Sequence, residues 1–133
     1  MLPKLSGFDH IDVYVSNRED AASWYEKYLG FKVNKTLEVW ADNPHGPLTI
    51  EDSSGKIHLA LFKSENFIPA TVLAMKSDGE GFLAWRAHLE KSNILDRFTD
   101  HKIAWSIYFK DLDGNLNEIT TYDYDYVAAQ LNA

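Results

Sequence analysis

The chain has 133 residues, 45% of them apolar and 14% aromatic, with no cysteine and a net charge of −7. Such a composition describes a folded protein with enough chain for one proper core, and excludes an intrinsically disordered one. It also excludes disulfides, thiolate metal sites and cysteine nucleophiles, and it argues against nucleic acid, whose phosphates need a basic surface.

No apolar run is long enough to span a bilayer, so no membrane partner is expected. The start, Met1-Leu2-Pro3-Lys4-Leu5, lacks the apolar core of a signal peptide, and a cytoplasmic location is expected.

Residues 7–15 alternate as a strand does. Ile11, Val13 and Val15 share one face, and Phe8, His10, Asp12 and Tyr14 share the other. A helix follows, with Ser16 or Asn17 as its cap, Glu19 and Asp20 at its positive end and Gly30 as its stop. Ala21, Trp24, Tyr25 and Tyr28 form its apolar stripe. Residues 31–40, rich in Val, Thr, Phe and Trp, predict a strand, and 42–47 a loop. Residues 48–52 and 56–63 predict a hairpin around Ser53-Ser54-Gly55.

The second half repeats this order. Strands are predicted over 70–76 and 94–99, with a helix over 78–91 whose stripe is Phe82, Trp85 and Leu89. Residues 103–110 and 115–122 predict a hairpin around Asp111-Leu112-Asp113-Gly114, and a short helix over 124–131 closes the chain. Trp24 and Trp85 occupy matching helical positions, and His58 and Glu118 sit on the last strand of each half. An internal duplication of a unit of about 60 residues follows. Neither unit can bury its sheet alone, so the two must pair, within one chain or across a dimer.

Three side chains stand out as divalent-metal ligands: His10, His58 and Glu118. Two imidazoles and a carboxylate leave coordination positions open for a substrate. His10 has a second reading, as a half-buried histidine bonded to backbone. Glu118 lies on a face with Leu116, Thr120 and Tyr122, where a carboxylate is costly unless paired or metal-bound. Its other reading is a salt bridge, although cations are scarce in that segment. His58 shares a face with Ala60 and Phe62, and a one-residue slip would reverse it. Asp12 is a candidate general base or an orienting group for His10. Tyr108 is a second candidate for proton transfer. Ser106, on the Tyr108 face, is a substrate-binding candidate with Tyr122, Trp40 and Trp105, the tryptophans having core packing as their other reading.

Three stretches carry a resemblance. They are Asp9-His10-Ile11-Asp12-Val13-Tyr14-Val15; Trp24-Tyr25-Glu26-Lys27-Tyr28-Leu29-Gly30-Phe31; and Ser106-Ile107-Tyr108-Phe109-Lys110-Asp111-Leu112-Asp113-Gly114-Asn115. The last is similar to S-x-Y-F-x-D-P-D-G-[NH], with Leu112 for the usual proline. Over nearly its whole length the chain resembles the vicinal oxygen chelate superfamily: glyoxalase I, bleomycin-resistance proteins, fosfomycin-resistance thiol transferases and extradiol dioxygenases. The resemblance implies an α+β fold of two βαβββ modules, about 7–63 and 70–122, in a single 1–133 domain, forming a cupped mixed sheet around a cleft. It also implies a homodimer as the common assembly.

Carried over residue by residue, His10 matches the first-strand histidine ligand and Glu118 the last-strand glutamate ligand. His58 falls where glyoxalase I enzymes carry a carboxylate or glutamine. The chain departs from the family at the first strand of the second module, where Thr71, or Val72, replaces the usual histidine. Phe98 and Val127 fall near the basic positions that hold a phosphonate, so such an anion is expected to fit poorly.

The resemblance therefore predicts an enzyme that uses one divalent metal ion (Ni, Mn, Fe or Zn) to chelate vicinal oxygens of a small substrate, of isomerase, lyase or dioxygenase type. The other reading is a metal-free protein like the bleomycin-resistance members, sequestering a cationic or aromatic small molecule.

Overall fold

In a computed structural model describing residues 1–133, the chain divides into two units, 1–67 and 68–133. Each is a βαβββ arrangement with a four-stranded mixed sheet.

In the first unit, β1 (Ile11–Val15) leads to α1 (Arg18–Leu29). The Asn17 side chain accepts from the Asp20 N–H at 2.8 Å, a cap that contributes about 1 kcal/mol. Gly30 ends the helix at φ 73°, a left-handed conformation that costs other residues a Cβ clash. β3 (Leu48–Glu51) and β4 (His58–Lys63) form the predicted hairpin, and with β2 (Lys32–Val33) at the edge the sheet order is β1-β4-β3-β2. Val13, Val15, Ile50 and Leu61 are buried from solvent, and α1 packs against β3 and β4.

The strand predicted over 31–40 is a correction. Only Lys32–Val33 (β2) pairs, and Glu38–Asp42 forms a 3-10 helix instead. The reason is local hydrogen bonding. Asn34 Oδ1 accepts from the Leu37 N–H at 3.1 Å, turning the chain away from the sheet. Arg18 then donates to the carbonyls of Ala41, Asn43 and Gly46 at 3.0, 3.2 and 2.7 Å. The strand propensity of Val, Thr and Trp registers neither contact.

The second unit runs β5 (Leu73–Lys76), α2 (Gly79–Lys91), β6 (Arg97–Asp100), β7 (Trp105–Lys110), β8 (Leu116–Thr121) and α3 (Tyr124–Leu131). Its sheet order, β5-β8-β7-β6, repeats that of the first unit. Asp78 caps α2 by accepting from the Gly81 N–H at 2.7 Å. The Gly79 N–H donates to Asp123 Oδ2 at 2.7 Å, and a Cβ there would lie 2.5 Å from Tyr126 Cδ1. Glycine is what lets α3 approach the start of α2.

The β7–β8 turn is held by Asp111, whose Oδ1 accepts from the N–H groups of Asp113 and Asn115, both at 2.9 Å. Phe82, Leu89, Ile107 and Phe109 are fully buried. No helix is long and apolar enough to cross a membrane.

Candidate functional site

Strand register decides which side chains share a face. In the first unit Asp12 is the partner of Ala60, which is the partner of Thr49. One step back, His58 is the partner of Glu51. Continuing the parallel β1–β4 register by one residue puts His10 beside His58, just ahead of β1. His10, His58 and Glu51 thus form one row, with Asp12 in the next, all on the face away from Val13, Ile50 and Leu61.

Both histidines of this row are engaged by carboxylates. His10 Nδ1 lies 2.7 Å from Asp9 Oδ2, and its Nε2 lies 3.2 Å from Asp12 Oδ1. The Asp9 hydrogen bond is the main cause raising the His10 pKa above its ordinary 6.5; partial burial opposes it, and the Asp12 charge reinforces it. His58 Nε2 lies 3.4 Å from Glu51 Oε2, with both side chains largely buried.

In the second unit two rows run across β6, β7 and β8. Arg97, Tyr108 and Glu118 form one, ending at Ala74 on β5. Thr99, Ser106 and Thr120 form the other, ending at Lys76. The Ser106 hydroxyl donates to Glu118 Oε2 at 2.6 Å. Thr120 Oγ1 lies 3.1 Å from Ser106 Oγ and donates to the Trp105 carbonyl at 3.1 Å. Glu118 makes no ion pair, so its second oxygen is available to a ligand. Tyr108 shares a 2.9 Å hydrogen bond with His101 Nε2, and the Arg97 guanidinium stacks over its ring at 4.1 Å.

The remaining candidates separate. Trp105 lies on the other face of β7, stacked between Phe98 and Tyr124 at centroid distances of 5.2 and 5.1 Å. Its indole N–H donates to the Tyr124 carbonyl at 3.1 Å, which makes it a core residue of the α3 side. Trp40 is half exposed on the 3-10 helix, and Tyr122 is exposed just beyond β8. A cavity of about 650 Å³ lies between α1 and the 33–42 segment, lined by Glu19, Glu26, Glu38, Asp42 and apolar Val33 and Leu48. None of the predicted site residues lines it.

Thr71 and Val72 both precede β5 and are not the neighbours of Glu118; Ala74 is. The position beside Glu118 on β5 therefore carries a methyl group. Arg97 and His101 were missed by sequence reading, which stopped at Phe98. Alternation on β6 was the available signal: with Phe98 against Phe82 and Arg86 of α2, Arg97 must face the Glu118 side.

The donor chemistry suits a divalent ion. Imidazole and carboxylate are its usual ligands, and Glu118 is a half-buried carboxylate with no cation beside it. In the first unit His10 and His58 are such donors, and in the second Glu118 is. No group of three or more His, Asp or Glu side chains is already placed to hold a metal ion.

Residues 7–119 match the model of the Glyoxalase/Bleomycin resistance protein/Dioxygenase superfamily. Among solved structures, a lactoylglutathione lyase from Agrobacterium tumefaciens superposes with a TM-score of 0.72 at 15% identity, covering 91% of this chain and 97% of that one. The fosfomycin resistance protein FosX from Listeria monocytogenes, solved with Mn(II) and a dihydroxypropylphosphonic acid, gives 0.71 at 13% identity, covering 89% and 93%. An integron cassette protein from the metagenome of the Halifax Harbour sewage outfall gives 0.72 at 18%, covering 88% and 99%. At these identities the likeness is one of fold. No curated protein matches the chain.

Proposed function

The chain belongs to the glyoxalase/bleomycin resistance protein/dioxygenase superfamily, and from that premise we propose that it is a divalent-metal-dependent enzyme acting on a small substrate with two adjacent oxygens. His10, His58 and Glu118 are its protein ligands. The reading is carried by Glu118: a carboxylate on a sheet face, oriented by a buried serine and neutralised by no cation. Such a group is costly to keep unless a ligand completes it. The Mn(II) in the FosX structure supports a hard divalent ion.

A bound ion of this kind supplies Lewis acidity toward the substrate oxygens. The chain's own groups do the rest. Ser106 orients Glu118 by its hydrogen bond. Tyr108, held by His101 and Arg97, presents a phenolic O–H to the substrate as proton donor. Asp12 is the carboxylate that accepts a substrate proton, and in its absence from that task it hydrogen-bonds His10. The reaction class we propose for these parts is isomerase, lyase or dioxygenase chemistry.

Metal content by elemental mass spectrometry, on chelator-free protein before and after reconstitution, tests the proposal. Close to one transition ion per chain, lost in His58→Ala, is the expected result. No retained ion under either condition overturns it.

A second reading has one observation in its favour. Carboxylates flank both histidines of the first unit, and the chain is acidic. A metal-free protein sequestering a cationic small molecule would use them directly. Binding of a cationic dye, with no response to metals, would favour it.

A further inference from the structure

The chain has three arginines, and two are spent on the fold. Arg18 is nearly buried and donates to three backbone carbonyls. Arg86 holds Glu90 at 3.0 Å along α2. Arg97 differs. Its guanidinium makes no hydrogen bond and no ion pair with the protein, and its one contact is the Tyr108 ring at 4.1 Å. Stacking fixes the plane of the group while leaving its N–H edge free.

That edge belongs to the row that contains Glu118. Arg97, Tyr108 and Glu118 are consecutive partners across β6, β7 and β8. Neighbouring strands are about 4.8 Å apart, so Arg97 and Glu118 stand roughly 10 Å apart along the row. The Tyr108 hydroxyl, pinned by His101, belongs to the strand between them. A ligand with oxygens at Glu118 and an anionic group two or three bonds away would reach Arg97.

The geometry points to a substrate carboxylate held by Arg97, so that the substrate class is a small 2-oxo or 2-hydroxy carboxylic acid; this rests on the metal-enzyme reading of the same face. The choice of carboxylate over phosphonate follows from charge and shape. A single guanidinium edge matches a planar monoanion in a bidentate pair. A tetrahedral dianion calls for a second permanent cation beside the first, and Arg97 is the one such group in the row of Tyr108 and Glu118, Lys76 standing at the far end of the next row. With Glu118 on the same row, extra negative charge is further disfavoured.

Three probes test this on the full chain, with and without added Mn(II): pyruvate, its neutral amide, and acetylphosphonate. Dissociation constants come from isothermal titration, and Mn(II) occupancy is followed independently by electron paramagnetic resonance. Wild type is expected to prefer pyruvate over the amide by about ten- to hundredfold, the usual worth of a charge-assisted bidentate pair. Arg97→Gln abolishes that preference and Arg97→Lys restores part of it, with Mn(II) occupancy unchanged in both. Arg97 is exposed, so neither variant threatens folding. An acid preference that survives in Arg97→Gln overturns the inference, as does no preference in wild type. Tighter binding of acetylphosphonate than of pyruvate overturns the carboxylate assignment. Failure of Mn(II) to bind, with the Arg97-dependent preference intact in metal-free protein, sinks the metal reading and leaves the carboxylate site standing.

Discussion

Ser106 Oγ lies 2.6 Å from Glu118 Oε2, on adjacent strands and in adjacent rows of one sheet face. The serine is fully buried and the glutamate half-buried. A short O–H···O⁻ bond of this kind sets the carboxylate's orientation before any ligand arrives. Ser106→Ala is expected to destabilise the fold by about 1–3 kcal/mol, the range for losing a hydrogen bond to a charged group. Urea denaturation measures it. A change below about 0.5 kcal/mol, the range of a neutral surface substitution, would mean that Ser106 does not hold Glu118.

His10 makes stability depend on pH. Its pKa is raised by the Asp9 hydrogen bond first, with burial opposing and the Asp12 charge adding. A raised histidine contributes stability that is fully present below the unfolded value of 6.5 and is lost as pH climbs through the higher folded value. The melting temperature is therefore expected to decline over that window in wild type and to decline less in His10→Gln. Under the proposed metal reading an ion would have to displace the same proton, and Mn(II) affinity is then expected to rise over the same window. Asp9→Asn lowers the imidazole pKa, read by NMR titration of the ring protons. An unshifted imidazole in that variant would remove Asp9 as the cause.

The two tryptophans nominated together by sequence are expected to respond oppositely. Trp105 is stacked between two rings, and Trp105→Ala should cost about 3–5 kcal/mol. Trp40 is half exposed on the 3-10 helix, and Trp40→Ala should fall within about 0.5 kcal/mol of wild type. Denaturation midpoints of the two variants compare them directly, and equal losses would contradict the placement.

Arg18 ties α1 to the 41–46 loop through three carbonyls. Lysine has no planar fork and cannot satisfy the three together. Arg18→Lys is expected to destabilise the fold by about 1–3 kcal/mol and to speed amide exchange across residues 38–46. Unchanged exchange there would show that the loop stands without Arg18.

The register of β5 makes a sharper test of the metal reading. Ala74, not Thr71, is the neighbour of Glu118. Ala74→His adds an imidazole beside the carboxylate at an exposed position and is expected to tighten Mn(II) binding at least about tenfold. Thr71→His should leave it unchanged. The reverse order would favour Thr71 as the ligand position, as the family resemblance implies.

Much of this molecule is legible locally. Asn17 and Gly30 bound α1, Asp78 caps α2, and the Asp111 turn joins β7 to β8, each as its own residues require. The alternation that put His58 on the face of His10 and Asp12 also survives in the strand register. The 31–40 segment was not legible, because Asn34 and Arg18 redirect it, and the carbonyls Arg18 grips lie more than twenty residues away in sequence. His101 was missed because it lies in a turn, and its partner is chosen by where the turn places the ring.

By itself, then, the sequence determined the two-module α+β plan, the helix ends and the face of each strand residue. These follow from periodicity and capping, whose interactions span only a few residues. Tertiary structure alone decided that Ala74 sits beside Glu118, that Trp105 belongs to the core and that Arg97 stacks on Tyr108 with no hydrogen bond or ion pair to its guanidinium. Those outcomes depend on register between strands, and a shift of one residue along a strand moves every side chain to the other face.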